Sequence, residues 1–162
     1  MAIEIAAYEK KFIDGATEVW NEVVADGIAF PQEEMLDEQS GDEFFCSQSF
    51  TGLALDGSET VLGLYILHPN NVGRCGHISN ASYAVASRAR GQHIGEQLVL
   101  HSLKKGRELG FKILQFNAVV ASNIHARHLY QRLGFQELGV IPGGFRMPDG
   151  TFTDIVPHYR LL

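Results

Sequence analysis

The sequence predicts an α+β fold: a mixed central β-sheet of about six to seven strands flanked by helices. Three observations lead there. The chain has 162 residues, 45% of them hydrophobic and 20% charged, which suits one domain over 1–162 with one sizeable core. Short β-rich runs are interleaved with segments whose apolar residues recur at helical spacing. Glycine and proline punctuate the joins, and no internal repeat, low-complexity tract or linker interrupts the series.

Ile3 to Tyr8 reads as a first strand, with Ile3, Ile5 and Ala7 on one face. Asp14 is a plausible N-cap for a helix of about a dozen residues. Val19, Trp20, Val23 and Val24 form its apolar stripe and Gly27 ends it. The simplest role for Trp20 is core packing. Phe30-Pro31 breaks the chain, and acid-rich Gln32 to Gln39 reads as a short second helix. Ser49 to Leu55 and Thr60 to Leu67 flank Asp56-Gly57-Ser58, a hairpin pattern. His68 to Gly73 has loop composition.

Gly76 to Val85 is the next strand, followed by a helix over about His93 to Leu109 with i,i+4 pairs Ile94/Leu98 and Val99/Leu103. Gly110 ends that helix, and Phe111 to Ala118 reads as a buried strand. Ser122 or Asn123 caps a further helix with the stripe Ala126, Leu129, Tyr130, Leu133, closed by Gly134. Phe135 to Ile141 reads as a strand, Pro142-Gly143-Gly144 as a turn, and Thr153 to Leu161 as the last strand.

The chemistry concentrates at the join after Val85. Arg90 and Gly91 open a turn, and Gly95 lies in the first turn of the following helix. The first amides of a helix lack internal partners and carry the positive end of the dipole. A glycine there lets backbone approach a ligand, so the place suits phosphate. A tight strand–helix connection with no ligand would look the same. A second stretch, Asn-Ile-His-Ala-Arg-His-Leu-Tyr-Gln-Arg-Leu-Gly-Phe from Asn123 to Phe135, separates the two readings.

Together the two stretches resemble the GNAT superfamily of acyl-CoA-dependent N-acetyltransferases. The first resembles its pyrophosphate loop, Arg/Gln-x-x-Gly-x-Gly/Ala, with His93 where the first glycine is expected. The second resembles its Asn-x-x-Ala-x-x-Leu-Tyr-x-x-Leu-Gly-Phe helix. The likeness extends more loosely from about Val61 to the C-terminus. It implies a sheet splayed open between the strand ending at Val85 and the strand starting near Phe111.

The resemblance also implies roles. Backbone amides of Gly91, Gln92, His93, Ile94, Gly95 and Glu96 would clasp the pyrophosphate of acetyl-CoA, with charge added by Arg90. Backbone groups of Tyr83, Ala84 and Val85 would bond the pantetheine arm, and one of their amides would face the oxyanion. Asn123 would touch the coenzyme, or serve only as an N-cap. Tyr130 would protonate the leaving thiolate, or serve only as a core tyrosine. At His93 an imidazole would crowd the diphosphate, assist it when protonated, or point to solvent.

No general base stands out. Many family members carry a carboxylate in the strand before the phosphate turn, where this chain has Ser79 and Asn80. An ordered water would serve, and His77 is a weak direct candidate. An α-amino acceptor near ~8 needs less help than a lysine side chain near ~10.4. Glu33 and Glu34 are candidates for holding an ammonium group in the acceptor wall that the resemblance places there.

The expected function is therefore acetyl transfer from acetyl-CoA to the primary amine of a small molecule or amino acid. A non-catalytic acyl-CoA-binding sensor or partner subunit is the rival reading. A nucleotide-binding protein of another fold would leave Asn123 to Phe135 unexplained. The net charge of −6 disfavours nucleic acid as partner. No apolar run approaches the ~20 residues of a membrane span, and Met-Ala-Ile-Glu-Ile lacks a signal-peptide core, so a cytoplasmic protein is expected. Cys46 and Cys75 lack metal spacing and read as buried or idle thiols. No metal is expected, and a homodimer is the assembly to test.

Overall fold

The computed structural model describes residues 2–162. Its eight strands and four helices run β1 (Glu4–Ala7), α1 (Ile13–Asp26), α2 (Glu38–Ser47), β2 (Phe50–Leu55), β3 (Val61–Pro69), β4 (Ile78–Val85), α3 (Ile94–Glu108), β5 (Ile113–Val120), α4 (Ile124–Arg132), β6 (Gln136–Glu137), β7 (Ile141–Arg146) and β8 (Phe152–Leu161). They build one mixed sheet in the order β1-β2-β3-β4-β5-β8-β6, with β7 also paired to β8. Among the described residues, β4 and β5 are the only parallel neighbours.

That parallel pair opens the fold. It holds for three rungs, Ile78↔Ile113, Ser79↔Leu114 and Asn80↔Gln115. Side chains lace the apex: Ser79 Oγ donates to the Ile113 carbonyl and Asn80 Nδ2 to the Gln115 carbonyl, each at 2.8 Å. Beyond Asn80 the strands part, and β5 is bent where its register with β8 shifts between Phe116 and Val119. The splay implied from the motifs is present.

Helices cover both faces. Tyr65 Oη and His101 Nδ1 of α3 share a hydrogen bond of 2.8 Å on one face. The next residue, Ile66, points to the other face, towards Phe44 of α2. Trp20 is buried as expected, with Phe30 and Phe44 rings at 4.5 and 5.1 Å. The helical stripes of α1 and α3 are buried as their spacing predicted.

Several local expectations are corrected. Helix α1 starts at Ile13, with Phe12 rather than Asp14 at its cap. The second helix is Glu38–Ser47, not Gln32 to Gln39. Asp37 caps it by accepting from Ser40 N–H at 2.7 Å while Ser40 Oγ accepts from Asp37 N–H at 2.9 Å. Phe44 and Phe45 then bring it onto the core. The strand expected over Phe135 to Ile141 splits into β6 and β7, so the sheet has eight strands. Pro142-Gly143-Gly144 is not a turn but part of β7. A Cβ on Gly144 would lie 2.4 Å from Ile155 Cγ1, so only glycine lets β7 lie that close to β8. The turn comes later, where Thr151 O accepts from Met147 N–H at 2.7 Å. Both cysteines are exposed, which excludes the buried one of their two readings.

Candidate active site

The splay forms a cleft of about 610 Å³. Ala81, Ser82 and Tyr83 of β4 form one side, Phe116 to Val120 of β5 the other. Asn123, the cap of α4, with Ala126 and Tyr130 of that helix closes one end, while Phe30, Phe44 and Gln48 close the opposite mouth. Past Asn80 the β5-facing edge of β4 has no strand beside it, so its backbone groups are open to an extended ligand.

The glycine turn sits at the start of α3. Within the helix the first acceptor is His93 O, bonded to Gln97 N–H at 3.2 Å. The amides of Ile94, Gly95 and Glu96 therefore keep their outward direction. A Cβ on Gly95 would meet only Val85 Cγ2, at 3.8 Å. The protein's own packing does not require glycine there, whereas a ligand pressed against the backbone would. His93 has φ +59°, in the left-handed region, and its side chain is 82% exposed. Glycine is at ease in that conformation, which accounts for the glycine of the motif and marks His93 as strained.

Helix α1 grips the same turn. Glu22 accepts from Ser87 N–H at 3.0 Å and from Ser87 Oγ. Arg88 reaches Glu18 at 3.3 Å and the Val61 carbonyl at 3.0 Å, and Arg90 reaches Asp26 at 3.4 Å. Glu18, Glu22 and Asp26 stand at i, i+4, i+8, one acidic stripe facing one turn. The Ser87 hydrogen bonds hold the Glu22 carboxyl below its usual range. Glu96 turns away from the turn to Arg132 of α4, with contacts of 2.7 and 3.2 Å that hold its carboxyl low.

Tyr130 stands in an aromatic group, with ring centroids 4.5 Å from Phe116 and 5.6 Å from His158. Its hydroxyl has no hydrogen-bond partner among the described residues and is not fully buried, and the residue lines the cleft. Burial raises its phenol well above the ordinary value, so it holds its proton throughout the neutral range. Tyr83 differs: its hydroxyl bonds Ser102 Oγ at 2.7 Å, which leaves only its backbone for the cleft. Asn123 is an N-cap at the cleft wall. Its Oδ1 accepts from Ala126 N–H at 3.2 Å as an N-cap, and it also lines the cleft.

The candidates for acceptor contact and for the general base fare differently. Glu33 lies in an adjoining recess, paired to Arg146, and Glu34 is exposed outside the cleft lining. His77 is exposed and also absent from the lining. The sequence reading missed Phe30, Phe44, Gln48 and His68, which do line it. Among the described residues, no group of three or more His, Cys, Asp or Glu is placed to hold a metal, and no helix is long and apolar enough to cross a membrane.

The sequence matches the model of the acetyltransferase (GNAT) family over residues 16–135. The chain belongs to this family. The match begins well upstream of Val61 and takes in most of α1 and all of α2. A GCN5-related N-acetyltransferase from Kribbella flavida superposes with a TM-score of 0.91 at 29% identity, covering 99% of this chain and 98% of that one. A phosphinothricin acetyltransferase from Sinorhizobium meliloti, solved in complex with acetyl-CoA, gives a TM-score of 0.91 over 100% of this chain and 89% of that one. At 20% identity the latter likeness is one of fold. N-acetyltransferase aca1 of Schizosaccharomyces pombe is 35% identical over 94 residues, 58% of this chain and 45% of that protein. The chain thus spans less than half the length of that relative. GNAT enzymes use acetyl-CoA as co-substrate.

Proposed function

We propose that this chain is a single catalytic domain over 1–162 that moves the acetyl group of acetyl-CoA to a primary amine of a small molecule or amino acid in the cytoplasm. The Tyr130 hydroxyl carries the reading: it faces the cleft between β4 and β5 with no partner of its own. Its oxygen is not one of the buried polar atoms left unpaired, so it is reachable from the cleft, where a departing sulfur would meet it.

Acetyl-CoA supplies the activated thioester. The amides of Gly91 to Glu96 and the Arg90 charge hold its pyrophosphate, Asn123 adds a contact, and the open edge of Tyr83 to Val85 takes its arm. An amide of that edge stabilises the oxyanion, and Tyr130 protonates the departing sulfur. The acceptor mouth is lined by aromatic and amide side chains, with no Asp, Glu, Lys or Arg among the cleft residues. Selection there rests on shape and hydrogen bonds rather than ion pairing. A homodimer belongs to this reading, with exposed Leu138, Val140 and Ile141 as the surface a second copy would cover.

A thiol-release assay across a panel of amines tests it. Amine-dependent release with acetylated product is expected. Tight coenzyme binding without turnover of any amine would favour the sensor reading instead.

A further inference from the structure

We infer that His68 is the general base of this site, a deduction that rests on the acetyl-transfer reading above. His68 belongs to the last turn of strand geometry in β3, directly opposite Asn80 in the β3–β4 register. Residues opposite one another share a face, and both line the cleft beside Ile66. That face is the one towards Phe44 and Gln48, where the acceptor enters. Tyr130 lies across the cleft on α4. Base and acid thus stand on the amine side and the sulfur side.

The ring is set for the task. His68 Nδ1 lies 3.0 Å from the Pro69 carbonyl. A carbonyl only accepts, so the neutral ring carries its proton on Nδ1 and presents a lone pair at Nε2. Asn80 Nδ2 is engaged by the Gln115 carbonyl, which leaves Asn80 Oδ1 as a second acceptor for an ammonium group. Tyr130 is the other titratable side chain of the cleft, the Tyr83 hydroxyl being held by Ser102, and no carboxylate or cation lines it. Ser79, beside Asn80, cannot act: it is fully buried and donates to Ile113 O.

The step balances. His68 Nε2 takes one proton from the ammonium group. The freed amine forms a C–N bond at the thioester carbon, the C–S bond breaks, and Tyr130 gives its proton to the sulfur. The remaining surplus proton on nitrogen returns through solvent to Tyr130, and His68 releases its own to solvent. One ammonium ion and one thioester become one amide, one thiol and one free proton.

The test compares the parent, His68→Gln and His68→Ala in amine-dependent thiol release across pH, with melting temperature and coenzyme A binding as fold controls. His68→Gln is expected to lose about 10²-fold in kcat near neutral pH, the range of acid–base catalysis. The deficit should shrink as pH nears the amine's own pKa, where solvent supplies the free amine. Added imidazole should restore part of the His68→Ala rate, and the KM for acetyl-CoA should hold. A folded His68→Gln with parental kcat and pH profile overturns the assignment alone. A deficit constant across pH, without imidazole rescue, also overturns it, since that is the signature of lost packing. A parent that binds coenzyme A and turns over no amine defeats the acetyl-transfer reading, and this assignment with it.

Discussion

Replacing His93 by glycine should make the protein more stable, and the gain can be estimated from the backbone. His93 sits at φ +59° and ψ +22°. A residue with a Cβ loses roughly 1–2 kcal/mol in the left-handed region, a cost glycine avoids. Glycine gives back about 0.4–1 kcal/mol through the freer unfolded chain. The side chain itself contributes little: it is 82% exposed and stands 3.7 Å from a Glu96 carboxylate already committed to Arg132. The net expectation is a gain of about 0.5–1 kcal/mol, or roughly 1–4 °C in melting temperature for a domain of this size. His93→Ala removes the same imidazole but keeps the Cβ, so it should melt at or below the parent. Thermal denaturation of the three proteins decides the matter. If His93→Gly is no more stable than His93→Ala, the strain argument is wrong. Coenzyme A should bind His93→Gly at least as tightly as the parent; a clear loss would make the imidazole a positive contributor.

Two further outcomes follow from the site and the core. Coenzyme A at ~100 times its dissociation constant should stabilise the parent by about 2.7 kcal/mol. Gly95→Trp should fold, given the open space around that Cα, yet show no such shift; an undiminished shift would make the turn purely structural. Burial holds the His158 imidazole below its ordinary value, against the opposing pull of the Val156 carbonyl and the Glu137 carboxylate. The unfolded chain then takes up the proton first. The stability that His158 contributes is present above ~6.5 and is lost as pH falls towards its lower folded value. Denaturant titrations between pH 7 and 5 should show that loss, reduced in His158→Asn. His101, also held low by burial, supplies part of the remaining slope. Equal slopes in parent and variant would contradict the assignment.

Much of this was legible in the sequence because it is local. The stripes of α1, α3 and α4 and the glycine turn each reside in one short stretch. What escaped depended on contacts between stretches. Helix α2 lies later than the acid run suggests, because Asp37, inside that run, caps it through Ser40. Strand β7 is masked in the sequence because Pro142-Gly143-Gly144 has turn composition, whereas Gly144 allows close approach to Ile155. His68 looked like the start of a loop, and only the register with Asn80 brings it into the cleft. The strain at His93 was invisible too, since a departure from a motif does not disclose a dihedral angle.

The central claim is that the Tyr130 hydroxyl serves chemistry rather than packing. Steady-state kinetics of Tyr130→Phe, with its melting curve, address it most directly. The ring contacts to Phe116, Phe135 and His158 survive the change, and no partner loses a hydrogen bond. Stability should therefore stay within about 0.5 kcal/mol of the parent. Coenzyme affinity should hold as well, while kcat falls by about 10²-fold or more. Parental turnover in the folded variant would contradict the claim and remove Tyr130 from the reaction.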